Sequence, residues 1–338
     1  MPFQPKRPQA GSVRPVLSVR HLQVEFELSA RLPWGRPARI QAINDLHLDL
    51  FAGETLGVVG ESGCGKSTLA RALVGLERPA GGQILIDGAN VTWRDHRAWR
   101  ELRRKVQMVF QDPLASLDPR MTVAESIEEP LLALMPEFDA AERRRRVQAI
   151  LDQVGLPRSA GSRYPHEFSG GQCQRAGIAR ALIVEPSILI CDEPVSALDV
   201  SIQAQIINLL SDLQKEHGLA MLFIAHDLAV VRHISHRVLV MYLGRVMETG
   251  SRDQLFRAPG HPYTRALLAA VPGLAANDGS DTQLIGGDLP DPVDPPSGCV
   301  FRTRCPMADS ICAGQVPGLR RTSSRSHAAC HFASTGEV

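Results

Sequence analysis

The stretch "ETLGVVGESGCGKSTLARALVGL", Glu54 to Leu76, constrains the fold more than any other. "TLGVV" reads as a short buried strand and "STLARALVGL" as a helix, with Gly60, Gly63 and Gly65 packed between them. Gly60 to Ser67 fits the pattern G-x-x-x-x-G-K-[ST], and the strand before it and helix after it are the context that pattern requires. Such a loop lets backbone amides wrap phosphate groups, so Gly60, Glu61, Ser62, Gly63, Cys64, Gly65, Lys66, Ser67 and Thr68 are expected to cradle a nucleotide. Lys66 is expected on the β- and γ-phosphates, and the Ser67 hydroxyl on Mg²⁺.

A second half-site lies far downstream. "PSILICDEP" is an apolar strand running into Asp192 and Glu193. Asp192 is expected to hold the Mg²⁺ shell, and Glu193 to polarise an attacking water as general base. Gln111 closes "VQMVFQ" and His226 closes "MLFIAH". Ligands gather at the carboxyl ends of parallel strands, so both are expected near the γ-phosphate, with Gln111 also on the metal. "FSGGQCQRAGIARAL" is a polar opening to a helix, where Ser169, Gly170 and Gly171 would present amides to an anion. One chain thus carries two anion-binding devices.

Strand and helix patterns alternate, which implies a parallel sheet with helices on both faces. Helices dominate from about Leu114 to Gly161. Asp139 and Glu142 read as a capping box ahead of a stripe of Val147, Ile150, Leu151 and Val154. Arg143 to Arg146 read as a solvated helix face rather than a phosphate patch. A second amphipathic helix shows Ile202, Ile206, Leu209, Leu210 and Leu213, with Gly218 as its stop.

At 338 residues the chain exceeds what one core usually fills, so one large domain with an appendage is expected. A net charge of +1 gives no long-range pull toward nucleic acid, which argues against a DNA-tracking ATPase. Runs such as "AMLFIA" are too short to span a bilayer. "MPFQPKRPQAGSVRP" is basic and Pro-rich without an apolar run, so residues 1–15 read as a floppy tail and not a secretory signal. The chain is therefore expected in the cytosol, reaching a membrane only through partners. Cys64, Cys173 and Cys191 are scattered through the body and expected to be free thiols.

The order Walker-type loop, Gln111, "SGGQ", "CDEP", "SALD", His226 closely resembles the ATP-binding subunits of ABC transporters, over roughly residues 16 to 258. The one departure is Phe168 where Leu is commoner. The resemblance implies an α/β cassette: a parallel-sheet core, an antiparallel β subdomain and a helical subdomain near residues 112–185. It also implies that Ser169, Gly170, Gly171 and Gln172 cap ATP held on a partner's loop, head to tail, with Asp199 along the same seam. "FQDPLASLDPRMTV", "HEFSGGQCQR", "SALDVSIQAQIINLL" and "HPYTRALLAAVP" resemble the oligopeptide/dipeptide importer branch. That branch implies a second, often non-identical ATP-binding subunit, two permeases docking on the helical stretch, and an external solute-binding protein. It implies a place on the cytoplasmic face of the inner membrane and uptake of peptides, with nickel or another small solute as alternatives. A soluble non-transport ATPase of the same superfamily is a further alternative, though no fused second cassette or long coiled coil is visible. Adenine is expected to stack on Phe26, with Trp34 as reserve.

Past Gly260 the composition shifts, and "GGDLPDPVDPPSG" reads as a linker within an extension spanning 259–338, ahead of its four-Cys segment. Cys299, Cys305, Cys312 and Cys330 crowd a segment too small for its own core, so a staple is expected there. Four thiolates suit zinc or an iron–sulfur cluster, and the C-x5-C-x6-C spacing lacks the tight pairs of zinc ribbons. Similar tails in the importer branch imply a [4Fe–4S] cluster; His327 and His331 are possible substitute ligands.

Overall fold

The computed structural model describes residues 14–27, 39–91, 96–271, 286, 288–323 and 326–333. The floppy tail expected over residues 1–15 lies almost wholly outside them, as does Trp34. In chain order the first elements are β1 (Leu17–Glu27), β2 (Arg39–Leu50), β3 (Thr55–Val59), α1 (Lys66–Leu73), β4 (Gly81–Ile86), β5 (Ala89–Asn90), α2 (His96–Lys105) and β6 (Val106–Val109). Then come α3 (Val123–Leu134), α4 (Ala140–Gln153), α5 (Gly170–Leu182), β7 (Ile188–Asp192), α6 (Val200–His217), β8 (Ala220–Ile224) and α7 (Leu228–Ile234). The last are β9 (Arg237–Tyr242), β10 (Arg245–Ser251), α8 (Arg252–Arg257), α9 (Pro262–Ala269), α10 (Ser310–Gly314), β11 (Arg320–Ser323) and β12 (Ser326–Ala328). The fold is mixed α/β, and the chain divides into two compact units that do not follow chain order.

The first unit takes Met1–Ser18, Asp49–Thr55 and Leu85–Ala225. In it β6, β7 and β8 run parallel, in registers that pair Cys191 with Phe223 and Asp192 with Ile224. Every residue of β7 and β8 is buried, which is why their sequences are continuous apolar runs without alternation. On α4 the expected stripe Val147, Ile150, Leu151 and Val154 is buried. The capping box there is only half formed. Asp139 accepts from the Glu142 amide, but the Glu142 carboxylate is taken by Arg145 and Arg146 at 2.7 and 2.8 Å. Two guanidinium partners outcompete one backbone amide for that carboxylate. The arginine run is likewise only partly a solvated face. Arg143 pairs with Glu128 of α3 at 2.6 Å, and Arg146 pairs with Glu185 at 2.6 Å while lying over the Phe138 ring. Helix α6 buries Ile206, Ile207, Leu210 and Leu213, leaves Ile202 and Leu209 half-buried, and stops at Gly218 with φ 62°.

The second unit takes Val19–Leu48, Leu56–Ile84 and His226–Val338. Here β2, β1 and β4 lie side by side, while β3 and β9 pair in parallel. β10 runs antiparallel to β9, β12 to β10, and β11 to β12. The C-terminal extension, which the sequence suggests as an appendage, contributes strands to this sheet. Its strands join the edge at β10, with Glu248 opposite Ala328 and Gly250 opposite Ser326. Its Phe301 packs at 5.4 and 5.2 Å, ring to ring, on Tyr242 and Tyr263. All three rings are fully buried. A segment too short for a core of its own borrows one.

The "HPY" motif fastens this arrangement. The Nδ1 of His261 accepts from the Tyr263 amide at 3.0 Å, capping α9, and Pro262 occupies the first turn. The ring is buried, tilted 57° to Phe301, and bonded to the Ala329 backbone. Burial lowers His261 to about 4. A folded-state value below the unfolded one makes stability greatest above the unfolded value. Stability is lost as pH falls through about 6.5 toward about 4. The loss attributable to this residue is about 3 kcal/mol over that window. His261→Asn, which can still cap but does not titrate, is expected to flatten the fall in urea midpoint between pH 7 and 4.5. An unaltered slope would contradict the assignment.

Candidate nucleotide-binding and catalytic site

The phosphate loop is shaped by two backbone approaches. Gly60 has φ 155°, and a Cβ there would sit 2.2 Å from the Met241 carbonyl oxygen. Gly65 has φ 103°, and a Cβ there would sit 2.3 Å from the Ala42 carbonyl oxygen. Backbone cannot yield as a flexible side chain does, so both positions require glycine. The Gly244 amide donates to the Cys64 carbonyl at 2.9 Å and closes the loop on β9–β10. Inside the curve lies the buried Lys66, whose Nζ donates to the Gly60 and Glu61 carbonyls at 2.8 and 2.9 Å. Ser62 and Gly63 are exposed, while Ser67 and Thr68 are half-buried at the start of α1. The loop therefore offers an inward cation, open backbone and a hydroxyl, which is the donor set for a phosphate chain.

In the other unit, Asp192 is the buried last residue of β7. Glu193 follows with φ 45°, a left-handed conformation that a side chain adopts at a cost. Its amide donates to the Ile224 carbonyl at 3.0 Å, and its carboxylate accepts from Gln111 Nε2 at 3.0 Å. The sequence places Gln111 and His226 at strand ends. β6 stops at Val109 and β8 at Ile224, so each lies two residues further on, in the following loop. Loop placement frees both side chains from the sheet's alternation. His226 is exposed and is followed by Asp227, which caps α7.

Helix α5 begins as the opening motif suggests, with one correction. Ser169 and Gln172 form a reciprocal capping box, so the Ser169 amide is taken by Gln172 Oε1 at 3.0 Å. Gly170 and Gly171, at the first two helical positions, have no acceptor within the helix. Sequence reasoning missed a second demand on these glycines. A Cβ on Gly171 would fall 2.6 Å from Ile202 Cγ2, and one on Gly170 would fall 3.2 Å from Leu198 Cδ2. Asp199, the first residue before α6, makes no side-chain cap and is exposed beside Val200, which is 82% exposed. Phe26 is half-buried on β1.

Three of the four tail thiols, Cys299, Cys312 and Cys330, are buried, and Cys305 is half-buried. The Cys299 amide donates to the Cys312 carbonyl at 2.8 Å. Burial pushes the Cys299 and Cys305 thiols up; Cys312 and Cys330 add to both shifts, and Cys299 adds to that of Cys305. Among the described residues, however, no three of these sulfurs fall within 4.8 Å of one another. A tetrahedral zinc with bonds of about 2.3 Å needs sulfurs roughly 3.8 Å apart. His327 is exposed, and His331 Nε2 lies 3.0 Å from the Gln315 carbonyl. The trio His21, Asp45 and His47 does converge within 4.8 Å. There Asp45 Oδ1 is hydrogen-bonded to His21 at 2.7 Å and His47 at 3.2 Å, and Arg245 already places a cation within its electrostatic reach.

No helix among the described residues is long and apolar enough to cross a membrane. Residues 43–196 match the family model described as "ABC transporter". Residues 247–312 match "Oligopeptide/dipeptide transporter, C-terminal region". The chain is 55% identical over 321 residues to the oligopeptide transport ATP-binding protein OppF of Haemophilus influenzae, covering 93% of this chain and 96% of that one. It is 54% identical over 310 residues to OppF of Escherichia coli K12, covering 90% and 92%. Among solved structures, it resembles the dimeric ATP-binding cassette MJ0796 bound to ADP and Pi, at TM-score 0.62 and 28% identity, covering 70% of this chain and 98% of that one. It also resembles cbiO1 of Clostridium perfringens, at TM-score 0.61 and 29% identity, covering 72% and 91%.

Proposed function

This chain belongs to the ABC transporter ATP-binding proteins, in their oligopeptide/dipeptide branch, and from that premise we propose that it is the ATP-hydrolysing subunit of a peptide importer. The observation that carries this reading is 54–55% identity, along nine-tenths of the chain, to oligopeptide transport ATP-binding proteins, together with an intact loop, base and acid set. Residues 16–258 form the ATP-binding cassette, with its helical part near 112–185, and 259–338 form the extension.

Lys66 holds the β- and γ-phosphates, and the stretch from Gly60 to Thr68 wraps them. Ser67, Asp192 and Gln111 supply hard oxygen ligands, as Mg²⁺ requires; when bound, that ion supplies charge compensation along the phosphates. Glu193 takes a proton from the attacking water, a step worth about 10²- to 10⁴-fold, or roughly 3–5 kcal/mol of barrier. The hydrogen bond from Gln111 fixes that carboxylate's orientation. His226 donates toward the γ-phosphate, and Phe26 stacks on adenine. Ser169, Gly170, Gly171 and Gln172 face the nucleotide of a second ATP-binding subunit, a non-identical paralogue, with Asp199 on the same seam. The exposed Asp199–Val200 corner supports this, because an apolar residue so bare suits a surface that a partner covers.

Two permeases dock on the helical stretch after Gln111, where Leu114 and Leu132 stand 52% and 53% exposed. An external solute-binding protein delivers the peptide, and the chain works at the cytoplasmic face of the inner membrane. In the tail, Cys299, Cys305, Cys312 and Cys330 hold a [4Fe–4S] cluster, which would supply a thiolate-ligated staple for the segment. The C-x5-C-x6-C spacing, which lacks the tight pairs of zinc ribbons, favours the cluster over Zn²⁺.

Glu193→Gln is expected to bind ATP normally and to lose at least about 10²-fold of the assembled transporter's turnover. Near-normal hydrolysis would remove Glu193 from its role. Anaerobically purified protein is expected to be brown, with iron and acid-labile sulfide near four per chain, as a [4Fe–4S] cluster holds. Stoichiometric zinc without iron would replace the cluster with zinc, and metal-free protein with a folded tail would remove both.

A further inference from the structure

The phosphate loop is gripped from the cysteine-bearing tail at one residue, Glu61. Its backbone N–H donates to the Tyr263 hydroxyl at 2.9 Å. Its carboxylate accepts from the Arg304 guanidinium at 2.7 Å. Arg304 is 8% exposed and Glu61 25%, so the pair is largely shielded from solvent. The guanidinium also donates to the Tyr242 hydroxyl at 3.3 Å and to the Gly286 carbonyl at 3.2 Å. Tyr242, Tyr263 and Phe301 form the buried aromatic base beneath it. Arg304 itself immediately precedes Cys305, and its amide is bonded to the Phe301 carbonyl at 3.0 Å.

Two physical consequences follow. Glu61 opens a loop that must accept a polyanion, and an unpaired carboxylate there repels the phosphate chain through a poorly screening environment. Pairing with Arg304 neutralises it. The Tyr263 hydroxyl meanwhile occupies the Glu61 amide, which fixes the entry of the loop without using an amide from Gly63 to Thr68. A shielded pair broken on one side leaves its other charge uncompensated, so loss of Arg304 is worse than loss of both members.

We propose that Arg304 and Tyr263 are positioning residues for the nucleotide cradle, neutralising and anchoring Glu61 so that the tail sets the chain's affinity for ATP. The proposal rests on the reading of Gly60–Thr68 as the ATP cradle. It deepens that reading by giving the extension a direct part in nucleotide binding.

The test uses the full-length chain, with Kd for MgATP measured by titration, KM and kcat in the assembled transporter, and Tm for each variant. Arg304→Ala is expected to weaken ATP binding about ten-fold, equal to about 1.4 kcal/mol, with kcat at saturating ATP changed less than about two-fold. The double variant Glu61→Gln/Arg304→Ala, which removes the unpaired carboxylate as well, is expected to recover most of the affinity lost in Arg304→Ala. Arg304→Lys, which keeps the charge, is expected to fall between. Tyr263→Phe is expected to weaken binding about three-fold through the freed amide. Arg302→Ala, on the same tail but bonded to Ser297, is expected to leave Kd unchanged. Unchanged affinity in Arg304→Ala overturns the proposal. So does a loss that Glu61→Gln fails to relieve, or one that Arg302→Ala shares. A wild-type chain that does not bind ATP overturns the cradle assignment itself, and the proposal with it.

Discussion

The approach of Gly60 and Gly65 to two carbonyl oxygens, those of Met241 and Ala42, is the constraint on which the nucleotide site depends. It bends the chain between β3 and α1 so tightly that Lys66 turns inward and is held by the loop's own carbonyls. A buried lysine is tolerated because its protons have partners in the two carbonyls and the Cys64 sulfur at 3.7 Å, and a phosphate chain would offer stronger ones. The loop's backbone shape is thus dictated by β2 and β9, not by the loop alone.

The same economy marks the other unit. Glu193 sits in a left-handed conformation, between an amide bond to Ile224 and a side-chain bond from Gln111. Strain of that kind persists where the surroundings over-determine it. Gly170 and Gly171 let α5 begin against Leu198 and Ile202, and they leave amides that helix geometry cannot satisfy. Close packing calls for glycine at this place, and the proposed anion contact calls for it a second time.

How much of this could be read from the sequence depended on distance along the chain. The glycine loop, the acid pair after an apolar run and the helix start at Ser169 are local patterns, so residue order was enough. The strand ends were misjudged by two residues at Gln111 and His226, because apolar runs do not mark where a ladder stops. The half-formed box at Asp139 failed because Glu142 had two arginines to choose from within its own helix. Least legible was the tail. Glu61 meets Tyr263 and Arg304 across 202 and 243 positions, and no periodicity reports such a meeting. "HPYTR" served as a family signature, whereas its cap at His261 and its hydroxyl on Glu61 needed coordinates.

The central claim is that one chain's two anion devices serve two different nucleotides. Ser169→Arg tests it most directly, since a bulky cation at the start of α5 would fill the place of a partner's γ-phosphate. MgATP affinity of the full-length variant and ATP turnover of the assembled transporter should be measured side by side. The account predicts near-normal affinity with turnover reduced at least about 10²-fold, the scale of losing a transition-state charge contact. A loss of ATP affinity in the isolated chain as severe as that of Lys66→Ala would contradict it.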